Sequence, residues 1–190
     1  VPNLILAAPR NEIELRNFLY TIQLGIEQPI AIRYPRGFGA IEDWKQPYQK
    51  IEIGSGICLQ EGKSIAVLSY GTISKNVVEA ITLTKQEHEI GHYDMRFVNP
   101  LDTKLLDHIF KKYAVVFTLE DGVQKGGFGS AILEYAKSKN FNNRIHILGI
   151  PDQFITHGKT KLLIESIGLD PKSLSQKFSR AINGELHRLD

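Results

Sequence analysis

Short apolar runs recur along the chain, separated by segments in which apolar positions fall three and four residues apart. The runs predict strands and the spaced segments predict amphipathic helices. A run at 4–7 ends before Pro9. Asn11, with Glu14 three residues on, resembles a capping box, and Leu15, Phe18, Leu19, Ile22 and Ile26 continue at helical spacing. Pro29 opens a second run at 30–32, which ends in Arg33-Tyr34-Pro35-Arg36-Gly37. One strand–helix–strand unit cannot cover both faces of its own sheet, so 1–37 is expected to be the end of a larger parallel-sheet domain. Positions 38–50 show neither period and are expected to be a linker, pinned to a neighbouring domain by Trp44 and Tyr48.

From residue 51 the pattern is regular. A strand is expected at 51–59, with a hairpin turn at Glu61-Gly62-Lys63 leading into a strand at 65–69. Gly71-Thr72 opens a helix to about Gln86, a strand follows at about 93–98, and Asp102 caps the next helix. A strand at 114–119, a glycine-rich turn, a helix to about Lys137 and a strand at 145–150 come next. Short helices end the chain, the last started by Asp170-Pro171. Strands alternating with helices predict an α/β fold, with helices on both faces of a mostly parallel five-stranded sheet and one antiparallel edge strand from the hairpin. That domain is expected to span 51–183, with a tail at 184–190.

Composition narrows the function. With 42% hydrophobic residues in 190, the chain can bury a substantial core. Its 23 basic and 21 acidic residues are scattered and give a formal charge of +2, so no nucleic-acid partner is expected. No apolar stretch reaches the roughly 20 residues of a membrane helix. Cys58 is the sole cysteine, which excludes an intramolecular disulfide and fits a reducing compartment. The opening Val1-Pro2-Asn3 has neither an initiator methionine nor a signal pattern, and a chain cut from something longer is expected.

Three segments could carry chemistry. Arg33 and Arg36, at the carboxyl end of a strand and bracketing a proline, could bind phosphate oxygens through their planar forks; alternatively they bond carboxylates across a domain junction. Gly126-Gly127-Phe128-Gly129-Ser130 could bind an anion at a helix start, or could serve tight helix-on-strand packing. It matches neither the dinucleotide fingerprint nor the triphosphate loop. Asp152 and His157, just beyond a strand, could form an acid–base pair, or an Asx turn and an interface histidine. The histidines at 88, 92, 108, 146 and 187 show no metal-ligand spacing. Asp102 is explained by capping. A serine nucleophile elbow, a thiol beside a base and a paired-carboxylate motif are all missing.

Taken in order, these segments resemble the 1-deoxy-D-xylulose-5-phosphate synthase family of transketolase-like thiamine-diphosphate enzymes. The resemblance covers residues 1 to about 183. It rests on Ala8-Pro9 with the helix start at 12–15, Arg33-Tyr34-Pro35-Arg36-Gly37, Ile53-Gly54-Ser55-Gly56 and Tyr70-Gly71-Thr72. It continues through Asp94-Met95-Arg96-Phe97-Val98-Asn99-Pro100-Leu101-Asp102, Leu119-Glu120-Asp121, the 126–130 turn and Pro151-Asp152-Gln153-Phe154-Ile155-Thr156-His157-Gly158. Transketolases and the beta chains of 2-oxoacid dehydrogenases share versions of several of these.

The resemblance implies a three-layer α/β/α transketolase C-terminal-like domain at 51–183, preceded at 1–37 by the end of a pyrimidine-binding α/β domain. It implies a homodimeric transferase that condenses pyruvate with D-glyceraldehyde 3-phosphate, with loss of carbon dioxide, in non-mevalonate isoprenoid biosynthesis and thiamine biosynthesis. Thiamine diphosphate and Mg2+ would be bound by parts absent here. This chain is therefore expected to be inactive alone and to hold no catalytic, cofactor-binding or metal-binding residue. Arg33 resembles the residue that binds the phosphate of glyceraldehyde 3-phosphate, with Arg36 as a second contact. The glycine-rich turn and His157 are expected to serve packing and dimer contacts. A bacterial cytoplasmic setting is implied, with a plastid one left open. Two other readings stand beside this one: the beta chain of a 2-oxoacid dehydrogenase, and a non-catalytic α/β binding or assembly domain.

Overall fold

The computed structural model describes residues 1–37, 39 and 41–186. Positions 38 and 40 of the expected linker, and 187–190 of the expected tail with His187, lie outside the described residues. Two sheets are present. The smaller contains β1 (Ile5–Ala7), β2 (Ile30–Ile32) and β6 (Phe97–Asn99), with β1 at the centre, parallel to β2 and antiparallel to β6. The larger contains β3 (Ile57–Gln60), β4 (Ile65–Tyr70), β5 (Ile90–Asp94), β7 (Val115–Val123) and β8 (Arg144–Ile150), in the order β3-β5-β4-β7-β8. All neighbours are parallel except β3, which runs antiparallel to β5 at one edge.

The continuous apolar runs of β4 and β7 put side chains into both faces of the large sheet. Ile65, Val67 and Phe117 pack with Val77 and Ile81 of α2 (Ser74–Thr84) and with Leu174 and Phe178 of α6 (Pro171–Ile182). On the opposite face, Ala66, Leu68 and Val116 pack with Leu106 and Ile109 of α3 (Thr103–Lys112) and with Ile132 of α4 (Phe128–Ser138). This is the three-layer α/β/α fold. The cap signals hold: Asp102 Oδ1 accepts from the Leu105 amide at 2.9 Å, and Asp170 accepts from the Lys172 and Ser173 amides ahead of Pro171. A short helix, α5 (Thr160–Ser166), precedes α6. No helix among the described residues is long and apolar enough to cross a membrane.

Two expectations are corrected. First, the turn at 61–63 does not close a hairpin, because β5 lies between β3 and β4. The four residues between those strands reach about 13 Å, enough to step over one strand in a sheet spaced at about 4.8 Å. Gly62 makes the step possible: a Cβ there would lie 2.0 Å from the Gly91 amide nitrogen. The Tyr113 hydroxyl holds the Gly62 carbonyl at 3.0 Å. The antiparallel edge strand exists, but it spans 57–60 rather than 51–59 and its partner is β5.

Second, the strand expected at 93–98 is two strands in different sheets. Asp94 ends β5 and accepts from the Arg96 amide at 3.1 Å; Arg96 takes φ 54°, and Phe97 begins β6 beside β1. An aspartate bonding the backbone two residues on turns the chain in this way.

The two sheets therefore meet at 94–97, where buried charges concentrate. α1 (Glu12–Gln23) is capped by Asn11, which accepts from the Glu14 amide at 2.9 Å. Its buried face is Glu14, Asn17, Phe18 and Thr21, while Leu19, expected inside, is half exposed. The polar members explain this rotation. Glu14 takes both arms of Arg96, at 2.9 and 2.7 Å, while Asn17 accepts the Gln49 amide and Thr21 the Ile51 amide. Phe18, Ile51 and Phe97 then close the small core with Ile5 and Ala7. The segment at 41–50 lies along α1: Arg16 donates to the Trp44 and Gln46 carbonyls and stacks 4.4 Å from the Tyr48 ring centre.

Removing one partner of a buried, bidentate ion pair leaves the other charge buried without its counterion. Arg96→Ala should lower stability by about 3–5 kcal/mol in denaturant titration. Glu14→Gln/Arg96→Met should recover much of that loss, whereas equal losses in both variants would mean that the charges themselves are unimportant.

Candidate functional site

Arg33 follows β2 directly, and its amide donates to the Ala7 carbonyl at 2.8 Å, so its backbone is an extension of the small sheet. Its side chain leaves that sheet and crosses to the carboxyl ends of β4 and β7 in the large one. There Nη1 lies 2.5 Å from Asp121 Oδ1, and the guanidinium carbon sits 5.2 Å from the Tyr70 ring centre. Tyr70 ends β4 and pairs in register with Glu120, so Tyr70 and Asp121 stand at one sheet end. Open α/β sheets bind ligands at this end of their strands.

Gly71 permits the close approach. It has φ +84°, and a Cβ there would meet Ala8 Cβ at 3.3 Å and Arg33 Nη2 at 3.5 Å. Thr72 donates to Asp121 Oδ2 at 3.3 Å. Arg33 separates two openings. A cavity of about 60 Å³ is walled by Arg33, Tyr34, Pro35, Gly71, Thr72 and Asp121. A larger one, about 320 Å³, is walled by Arg33, Tyr70, Leu6, Val98, Glu120 and the start of α4. Burial pushes the Tyr70 phenol up to about 12, with Arg33 pulling the other way, so it remains protonated near neutral pH. Arg33 is partly exposed, with 40% of its side-chain surface accessible. Arg36 is exposed, forms no ion pair among the described residues and lines neither cavity.

The glycine-rich turn is a packing device. The Gly129 amide at the start of α4 donates to Glu120 Oε1 at 3.0 Å, so an internal carboxylate already occupies the anion position. A Cβ on Gly127 would lie 2.5 Å from both Glu120 oxygens, and one on Gly129 2.5 Å from Ile147. Burial pushes the Glu120 carboxyl up, and the Gly129 and Phe128 amides oppose this. Asp152 and His157 are not an acid–base pair: Asp152 bonds Lys125 at 2.8 Å on the surface, and His157 is exposed. The lysine is closer because the turn at 122–127 passes beside the loop after β8. No group of three or more His, Cys, Asp or Glu side chains among the described residues could hold a metal ion.

One constellation was missed. Ser69 Oγ lies 2.9 Å from His92 Nε2, with Asp94 two residues further along β5. The types suggest a nucleophile, base and orienting acid, but all three are at most 1% exposed and neither cavity reaches them. Burial, with Arg10 nearby, pushes His92 down to about 3, so the imidazole is neutral and structural. Asp94 faces Arg10 at 3.4 Å, and belongs to the junction. Asp121, Tyr70 and Thr72 were visible only as motif positions. Their common placement at the ends of adjacent strands is what brings them to Arg33.

Residues 54–174 match the family model for the transketolase C-terminal domain. The chain belongs to this family. More particularly, it is similar to proteins named 1-deoxy-D-xylulose-5-phosphate synthase and corresponds to their carboxy-terminal portion. Over 92% of its length it is 49% identical to the one from Phocaeicola vulgatus, and over 93% it is 44% identical to that of Cytophaga hutchinsonii; in each case it spans 28% of the relative. A solved structure described as a split-gene transketolase, inactive beta4 tetramer, superposes with TM-score 0.79 at 25% identity, covering 98% of this chain and 59% of that one. Transketolase from Pichia stipitis shares the fold at TM-score 0.65 and 14% identity, covering 96% of this chain and 26% of that one.

The junction yields a pH prediction. Burial and the Glu14 charge push the Asp94 carboxyl up to about 7 from its ordinary 3.8. Between those values the folded chain keeps a proton that the unfolded chain has lost, so this group lowers stability as pH rises. Asp94→Asn, which stays neutral, removes that slope. Thermal unfolding should therefore show the variant gaining on the wild type from pH 4 to pH 8. A midpoint difference that does not change with pH would mean that Asp94 is ionised throughout.

Proposed function

We propose that this chain is the carboxy-terminal portion of a 1-deoxy-D-xylulose-5-phosphate synthase, and that Arg33 binds the phosphate of the acceptor, D-glyceraldehyde 3-phosphate. The intact enzyme would condense that aldehyde with pyruvate, releasing carbon dioxide, in the non-mevalonate isoprenoid pathway. The observation that carries the reading is the position of Arg33: fixed by the small sheet, partly exposed, and walling both openings at the strand ends. A guanidinium at such an opening binds phosphate oxygens through two parallel hydrogen bonds. Arg36, exposed on the same loop, is a second, outer contact.

The side chains here do not fit a magnesium–diphosphate site, because the described residues bring together no set of metal-binding groups. Thiamine diphosphate and Mg2+ are assigned to the remainder of the intact homodimer, and no catalytic step is assigned to this chain. The exposed Leu19 and Leu24 would face the rest of the pyrimidine-binding domain. Alone, the 190 residues are inactive in this reading, and the intact enzyme works in the cytoplasm.

Arg33→Ala in the intact enzyme should raise KM for glyceraldehyde 3-phosphate by about 10- to 100-fold, the scale of a lost charged hydrogen-bond pair. KM for pyruvate should hold within about twofold. An unchanged KM for the phosphorylated acceptor removes Arg33 from the site.

A further inference from the structure

We infer that Asp121 is a positioning residue for acceptor binding: it holds the Arg33 guanidinium so that its remaining N–H groups face the substrate phosphate. The inference rests on the reading of Arg33 given above, and extends it from the small sheet to the domain that carries Asp121.

An arginine reaching out from a strand end has many rotamers, and a phosphate-binding fork works only when its plane is set in advance. Two features set it here. The first is the ion pair with the Asp121 carboxylate, whose Oδ1 lies 2.5 Å from Nη1. The second is the Tyr70 ring beneath the guanidinium. The carboxylate has its own anchors. Asp121 lies on β7 one residue past the Tyr70–Glu120 pair, where the β7–β8 register is interrupted, and its Oδ2 accepts from Thr72 at 3.3 Å. The paired neighbour Glu120 and the Thr72 hydroxyl both belong to the large-sheet side, so the carboxylate does not simply follow the arginine. One Nη is engaged by this contact, and a guanidinium carries five N–H donors, so the others are available to a phosphate.

The neighbouring carboxylate cannot do this work. Glu120 is 4% exposed and turned into the start of α4, where Gly129 donates to it. Two consecutive acidic residues thus have separate duties, one inside the helix start and one across the junction. A competing role for Asp121 has the opposite sign. If it merely occupied the place of the phosphate, removing it would strengthen acceptor binding. If it orients Arg33, removing it weakens binding of the phosphorylated acceptor alone.

The test uses the intact enzyme with Arg33→Ala, Asp121→Ala, Asp121→Asn and Arg33→Ala/Asp121→Ala, assayed with glyceraldehyde 3-phosphate and with unphosphorylated glyceraldehyde. Asp121→Ala should raise KM for the phosphorylated acceptor by roughly tenfold, with kcat/KM for the unphosphorylated one changed less than about twofold. Asp121→Asn keeps an oxygen acceptor for Arg33 and should fall between wild type and alanine. In the Arg33→Ala background the loss of Asp121 should add little, because the two act as one unit. If Arg33→Ala itself leaves KM unaltered, the phosphate assignment fails, and this inference with it. If Arg33→Ala raises KM while both Asp121 variants leave it unchanged or lower it, only the positioning role is overturned. Equal losses for the two acceptors would also overturn it, as would an Asn variant no better than Ala. Should Asp121→Ala not fold, the Asn variant carries the same comparison.

Discussion

The chain leaves one sheet and enters another within two residues, and the geometry elsewhere depends on that crossing. β5 ends at Asp94 and β6 starts at Phe97. Between them Met95 is buried and Arg96 turns back with positive φ. The turn aims the Arg96 side chain at Glu14 of α1, and the bidentate pair is shielded from water. A buried ion pair adds little net stability, but it penalises every arrangement in which one member loses the other. The Glu14–Arg96 pair thus ties α1 to the crossing, while Phe18, Ile51 and Phe97 supply the apolar burial beside it.

The consequence is felt on the far side of β1, where Ala7, paired with Phe97, also accepts from the Arg33 amide. Because β1 is held against β6, its parallel neighbour β2 ends at a defined place, and Arg33 faces the carboxyl ends of β4 and β7. Glycines allow the approach at Gly71, and Gly127 allows Glu120 to fill the start of α4. Filling that helix end removes a rival anion site, which leaves Arg33 as the cationic group at the cavity walls described above. In the proposed enzyme, the domain without catalytic groups would thus still shape the acceptor site.

Much of the fold was legible from local pattern. Caps at Asn11, Asp102 and Asp170 follow from the bonding capacity of one side chain, and the continuous run at 65–70 follows from burial on both faces. The failures share a cause. Nothing local to Glu61-Gly62-Lys63 distinguishes a hairpin from a step over β5, since the difference lies in contacts with Gly91 and Tyr113. The break at Arg96 and the rotated face of α1 are likewise decided by distant partners, 82 residues away for Glu14 and 32 and 30 for Asn17 and Thr21. For the site, the sequence left Arg33 either a phosphate or a carboxylate across a junction, and the structure shows the carboxylate, Asp121. Asp121 was not readable, because an aspartate after an apolar strand acquires its meaning only from what the sheet order puts opposite. The Asp152–His157 pairing failed for a similar reason, Lys125 being nearer in space than in sequence.

In the proposed enzyme an acceptor phosphate would be received by an arginine of the small sheet while an aspartate of the large one holds that arginine. A crystal structure of the intact enzyme with glyceraldehyde 3-phosphate bound tests this most directly. Phosphate oxygens should lie within about 3 Å of the Arg33 guanidinium, with Asp121 still paired with it and bonded to Thr72. A phosphate bound away from Arg33 would remove the arginine from the acceptor site, and one that has displaced Asp121 would remove the aspartate's positioning role.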